Sequence, residues 1–324
     1  MESMQLKRRR VRKETQAIGW SMLLYLIVSL LAPIGLDHLV YWIEGVHLPS
    51  PLMIVGQFAG FLVLSIFFGK STEETELLEN KKTITGSRAV VAICAMVCTL
   101  SVACVFSEMV HEILQSLSLT EHRTFMHFIA ANEPPFSKQD AESMIMFILA
   151  IPLLEGLCFR GYIMQHLKKY GKLVAILIPA AMAAFVQGNV YEGIIAFFVG
   201  VLLGFVATEY SFIGSVLLHC LENMILVFVM PDVPEGTRNE MVLAFCFVAV
   251  IFCTFVCALQ IYRKREVIAK WVHTNTGDAH NLKWILTSVG MIMFMVVSMT
   301  VAVYKLLSAC QFPVFLYLPS ACFS

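Results

Sequence analysis

Long apolar runs alternate with short polar connections along this chain. Nine runs, at about 17–36, 52–69, 89–110, 143–165, 172–188, 193–208, 212–230, 241–262 and 284–307, are of bilayer-spanning length. A helix needs roughly 20 apolar residues to cross the hydrocarbon core. Continuous runs, rather than alternating ones, are the helical way of satisfying every backbone polar group in lipid. The pattern predicts an all-α polytopic transmembrane helix bundle of eight to nine spans, forming one membrane domain over residues 1–324. The connections at 189–193 and 208–212 are short, so the sixth span is short or tilted. A count of eight would put the C-terminal tail inside.

Composition agrees with this reading. The chain is 58% hydrophobic and 14% charged, roughly half the charged fraction of a soluble protein. The net charge of zero identifies no partner, but the order of the charges is informative. Lys7, Arg8, Arg9, Arg10, Arg12 and Lys13 precede the first run as a basic anchor. Basic segments next to spans stay cytoplasmic, and that position argues against a nucleic-acid partner. With the N-terminus inside, the cytoplasmic segments also hold Lys70, Lys81, Lys82, Arg88, Arg160, Lys168, Lys169 and Lys172. Arg263, Lys264, Arg265, Lys270 and Lys283 follow, which makes 19 of the 23 basic residues. Arg123, Lys138, Arg238 and Lys305 fall on the other side. The expected topology is N-terminus cytoplasmic and C-terminus external, in the plasma membrane of a bacterium. The first run is long and lacks a small-residue cleavage site, so it reads as a span rather than a signal peptide.

Most of the ten cysteines lie in apolar runs, where a thiol packs as a small apolar group. Cys94/Cys98 and Cys253/Cys257 are spaced i,i+4, but neither pair has a nearby His or acid in sequence; packing is the expectation. Cys310 and Cys322 are in the tail. The loop histidines His111, His122, His127, His273 and His280 are expected to be solvated rather than metal-bound. Ser137 is expected to cap the helix of the fourth span.

The chemistry-bearing residues are those that lipid should exclude. Glu155 stands near the middle of the apolar stretch from Met144 to Ile163, with Arg160 five residues on. A carboxylate there costs roughly 2–4 kcal/mol on insertion scales, and such groups face a bundle interior or wet cavity and mark functional sites. Gln187 and Asn189 end the fifth span. The seventh carries His219, Glu222 and Asn223. His219 and Asn223, four apart, share one helix face about 6 Å apart along the axis, with Glu222 flanking it. Counted from the helix ends, Glu155, His219 and Asn223 overlap in depth. They are expected to converge on one cavity, with Arg160 and Asn189 near its rim. The bland alternative is a set of interhelical hydrogen bonds and one buried ion pair.

These residues form three ordered motifs: Glu155-Gly156-x-x-x-Arg160, Phe185-x-x-x-Asn189 and His219-x-x-x-Asn223. Phe159-Arg160-Gly161, Gly200-x-x-x-Gly204 and Gly214-Ser215 accompany them. Over residues 143–230 the chain resembles the CAAX prenyl protease and bacteriocin-processing (CPBP, Abi) family of intramembrane proteases. Members carry Glu-Glu-x-x-x-Arg, Phe-x-x-x-His and His-x-x-x-Asn or His-x-x-x-Asp. The resemblance implies peptide-bond hydrolysis on a membrane-associated peptide or protein, with Glu155 as general base and His219 as polariser or metal ligand. Asn223 would orient water or bind the oxyanion, and Arg160 would pair with a carboxylate or the substrate. The chain departs from the pattern twice, with Gly156 for the second acid and Asn189 for a histidine. Zinc favours imidazole, thiolate and carboxylate, so a site built on His219 and Asn189 is disfavoured. Glu222 offers itself as the replacement carboxylate, though its spacing fits no family motif. Restoring Gly156→Glu and Asn189→His is expected to raise metal affinity or activity.

Two further classes stand beside the endopeptidase. One is a noncatalytic relative acting as a membrane binding, immunity or regulatory protein through the same cavity. The other is a small-molecule transporter, for which inverted repeats are expected and not found. Expected partners are membrane lipid and a peptide or protein segment.

Overall fold

The computed structural model describes residues 4–45, 52–68, 85–117, 119, 144–229 and 240–309. All regular structure among them is helical. In chain order the helices are α1 (Met4–Glu44), α2 (Leu52–Phe68), α3 (Gly86–Ser116) and α4 (Met146–Tyr170). They continue as α5 (Lys172–Gln187), α6 (Val190–Glu209), α7 (Phe212–Val229), α8 (Glu240–Asn275), α9 (Ala279–Leu286) and α10 (Val289–Ala309). Six of them are long and apolar enough to cross a membrane, and α2, α5 and α7 are shorter apolar helices. The polytopic helical bundle is therefore as the hydropathy pattern predicts, and among the described residues each of the first eight apolar runs falls largely on one helix.

Three boundaries differ from expectation. α1 begins before its apolar stretch and α8 ends beyond its own, because the Lys-, Arg- and Glu-rich residues there are good helix formers. The ninth run is broken: α9 ends at Leu286 and α10 begins at Val289. Asp278 starts α9 as its cap, its Oδ1 accepting from the His280 N–H at 2.9 Å. The third difference is Arg160, which is only 6% exposed and belongs to the bundle interior, not to a cytoplasmic segment.

α4, α5, α6 and α7 pack through small residues. A Cβ on Gly200 would lie 3.1 Å from the Ala180 Cβ, and one on Gly204 would lie 3.2 Å from the Ile176 Cγ2. Glycines at this spacing let α5 and α6 approach closely, as in other small-xxx-small contacts in lipid. Gly188 closes α5 in the left-handed region at φ 60°, which favours glycine. α3 is fixed to α6 by the Ser107 hydroxyl, which donates to the Tyr191 carbonyl at 2.9 Å, and by the Tyr191 hydroxyl, which donates to Glu108 at 3.1 Å.

α8 lies along α3. The two cysteine pairs, separate in sequence, face one another there: Cys253 with Cys94 and Cys257 with Cys98. Among the described residues, no group of three His, Cys, Asp or Glu is placed to hold a metal ion. His111 belongs to α3, edge-on to Tyr191, rather than to a loop. Ser137, His122, His127, Cys310, Cys322 and the acidic stretch at Glu73, Glu74, Glu76 and Glu79 lie outside the described residues.

Candidate active site

The site begins with the irregularity of α4. Its backbone is π-helical over Met146–Ala150, α-helical over Ile151–Glu155 and π-helical again over Gly156–Ile163. π turns inside helices occur frequently at functional sites. The cause of the first is readable. The Ile151 N–H donates to the Met146 carbonyl, five residues back. In that register the donor for the Phe147 carbonyl would be residue 152, and Pro152 has no N–H. Asn223 on α7 supplies a donor instead, its Nδ2 lying 2.8 Å from the Phe147 oxygen. Glu155 ends the α-helical piece between the two π turns, one turn beyond Pro152.

Opposite stands His219. Its Nε2 lies 3.7 Å from the Glu155 Oε2 and 3.4 Å from the Glu222 Oε2. The two carboxylates repel one another, and Arg160 is within electrostatic range of both. His219, Glu222 and Asn223 are buried, and Glu155 is largely so. Two atoms of this cluster make no hydrogen bond of good geometry: the His219 Nδ1 and the Glu222 Oε2. The imidazole is near enough to Glu222 for ion pairing but out of line for a hydrogen bond.

These groups line a cavity of about 160 Å³. Its walls come from α4, α5, α6 and α7, with Gln57 reaching in from α2. That volume is below the 300 Å³ at which drug-sized pockets begin; it suits one peptide group and a side chain. Gln57 is held by the buried Tyr25, whose hydroxyl donates to its Oε1. Gln187, Tyr191 and Glu192 line the end nearest the α5–α6 connection.

Glu155, His219 and Asn223 thus line one cavity, as the helix-face argument expects, and Arg160 and Gln187 line it with them. Asn189 is not among the lining residues. It is 4% exposed and caps α6, its Oδ1 accepting from the Glu192 N–H at 3.0 Å. Asn-x-x-Glu at a helix start is a capping pattern, and it accounts for Asn189 without a metal. Gly156 does not face the cavity either: a Cβ there would lie 3.0 Å from the Val216 Cγ2 and 3.7 Å from the Phe212 ring. Restoring a glutamate at 156 would therefore crowd α7, and restoring a histidine at 189 would remove a cap. Neither builds the cavity. His219 is the one imidazole among the described lining residues and Asn189 is committed to its cap, so the pair of His219 and Asn189 does not come together as a zinc site.

Gln57, Tyr191 and Glu192 escaped the sequence reading. Gln57 had a signal, a lone amide inside the apolar run of α2. Tyr191 and Glu192 had none beyond their nearness to Asn189.

The fold and the cavity define an integral membrane protein with a buried acid–imidazole cluster between its helices. Residues 139–225 match the family model described as type II CAAX prenyl endopeptidase Rce1-like. That segment carries all three motifs and bears out the family resemblance drawn from them. No curated protein and no solved structure matches the chain.

Proposed function

We propose that the protein is an intramembrane endopeptidase that hydrolyses a peptide bond in a membrane-associated peptide or protein. The observation that carries this reading is the approach of His219 to Glu155 inside a small buried cavity. Glu155 accepts a proton from water as the water oxygen attacks the carbonyl carbon. Arg160 faces the charge that develops on the carbonyl oxygen, and the His219 N–H orients the water or that oxyanion. When the C–N bond breaks, the proton held by Glu155 goes to the leaving amine. Asn223 acts through the Phe147 carbonyl, holding the turn that presents Glu155, and no step is routed through a metal. The basic N-terminal segment is cytoplasmic in this reading, and the membrane is that of a bacterial cell.

The test uses the full chain in liposomes with a mixture of synthetic prenylated and single-span peptides, products being read by mass spectrometry. Cleavage is expected with the natural chain and not with Glu155→Gln. A Glu155→Gln chain that is folded and still cleaves would end the proposal.

The second reading, a noncatalytic binding or regulatory relative, is favoured by one observation: neither position 156 nor position 189 contributes to the cavity. It expects Glu155→Gln to leave the cellular phenotype intact and a cavity-filling Ala196→Trp to remove it.

A further inference from the structure

The cavity contains a carboxylate that the proposed reaction does not use. Glu222 is 5% exposed. It lines the cavity, and its Oε2 makes no hydrogen bond. A buried charged group without a full set of partners is costly. The surroundings offset it only in part: the His219 Nε2 lies 3.4 Å from that oxygen, out of line for a hydrogen bond. Among the described lining residues, Glu155 and Glu222 share one guanidinium, that of Arg160. Cys104 and Glu108 on α3 add no positive charge near Glu222.

We propose that Glu222 is a recognition site for a cationic hydrogen-bond donor of the substrate: a lysine or arginine side chain, or an α-amine, next to the bond presented to Glu155. This deepens the endopeptidase reading and takes its bond-breaking residues from it. The chemistry follows from the open acceptor. An ammonium or guanidinium donates a charge-assisted hydrogen bond to the Glu222 Oε2, stronger than a neutral one. It also adds positive charge beside the two carboxylates that share Arg160. The cavity, at about 160 Å³, has room for one such side chain beside a peptide group. A substrate carboxylate at this place would meet two acids and be rejected.

The experiment compares single-span peptides that differ at one residue beside the cleaved bond: Lys, Leu or Glu. The natural chain in liposomes is expected to prefer Lys over Leu by about 10- to 100-fold in kcat/KM, the worth of one charged hydrogen bond, and to take Glu least. Glu222→Gln should collapse the Lys-to-Leu ratio toward one, whatever happens to the absolute rates. Glu222→Asp should keep part of it. Binding is measured alongside, as the shift in melting temperature on adding the Lys peptide and the Leu peptide. Cleavage without a preference for Lys overturns the cation site and leaves the endopeptidase standing. A preference that survives Glu222→Gln likewise overturns the assignment to Glu222. If nothing is cleaved but the Lys peptide alone raises the melting temperature, and Glu222→Gln abolishes that shift, the site stands and the endopeptidase reading falls. With neither cleavage nor a Glu222-dependent shift, both fall.

Discussion

The C-terminal end of α4 and its middle carry charge in opposite ways. At its C-terminal end, acids and bases are matched. Lys169 sits 2.7 Å from Glu14, which also accepts from the Tyr170 hydroxyl. Next to it, Lys172 and the Trp271 indole both reach the Glu209 Oε1, at 2.7 and 3.1 Å. On the same side of the bundle Lys7 pairs with Asp278 at 3.0 Å. In the middle of α4, acids outnumber bases and the contacts are long. Glu155 and Glu222 share one imidazole at 3.7 and 3.4 Å. Charge serves attachment in the first region. In the second it is held incompletely compensated, in a cavity where a substrate can complete it. The comparison separates polar residues that hold the bundle from those that act.

The variants that test this contrast are ordered by expected effect. Glu155→Gln should lower peptidase activity by roughly 10²–10⁴-fold, the usual worth of a general base, with little change in melting temperature. A parallel collapse of stability would mean that Glu155 belongs with the attachment residues. Asn223→Ala removes the donor to the Phe147 carbonyl. We expect a loss of about 1–3 kcal/mol, read by chemical unfolding in detergent micelles, together with a lower kcat from a displaced Glu155. Gly156→Glu should cost a similar 1–3 kcal/mol by overpacking against Val216 and bring no gain in activity. A gain would show that position 156 reaches the cavity. Asn189→Ala should cost roughly 1 kcal/mol as a lost cap, while Asn189→Asp, which can cap equally well, should be neutral.

The smallest effect belongs to the matched region. The hydrogen bond from Lys7, with those from the His280 backbone and ring, holds the Asp278 carboxyl down to about 2. A depressed acid contributes stability that is present above its ordinary value, near 3.8, and is lost as pH falls toward 2. The pair is partly exposed, so its worth is under about 1 kcal/mol. Lys7→Ala should flatten the acid limb of the unfolding curve between about pH 4 and pH 2. Stability at neutral pH should hardly move.

Much of this was legible in the residues. Apolar run length located the spans, because lipid permits few alternatives. The i,i+4 spacing of His219 and Asn223 and the shared depth of Glu155 located the cavity, because helical geometry fixes both. What escaped depended on contacts between elements. Asn189 reads as a site residue in a motif, yet the backbone of Glu192 claims its oxygen. Gly156 reads as a missing acid, yet α7 fills the space beside it. The first π turn of α4 is tied to Pro152 only once the register is known, and the α9–α10 break is marked in sequence by only two polar residues, Thr287 and Ser288.

The central claim is that Glu155 and His219 direct water onto a peptide bond, and oxygen-isotope incorporation tests it most directly. The natural chain in liposomes, given single-span peptides in water enriched in oxygen-18, should release an N-terminal fragment whose new carboxyl group carries one labelled oxygen. Glu155→Gln, folded to the same melting temperature, should release none. Labelled fragment from the Glu155→Gln chain at the natural rate, or none from the natural chain, would contradict the account.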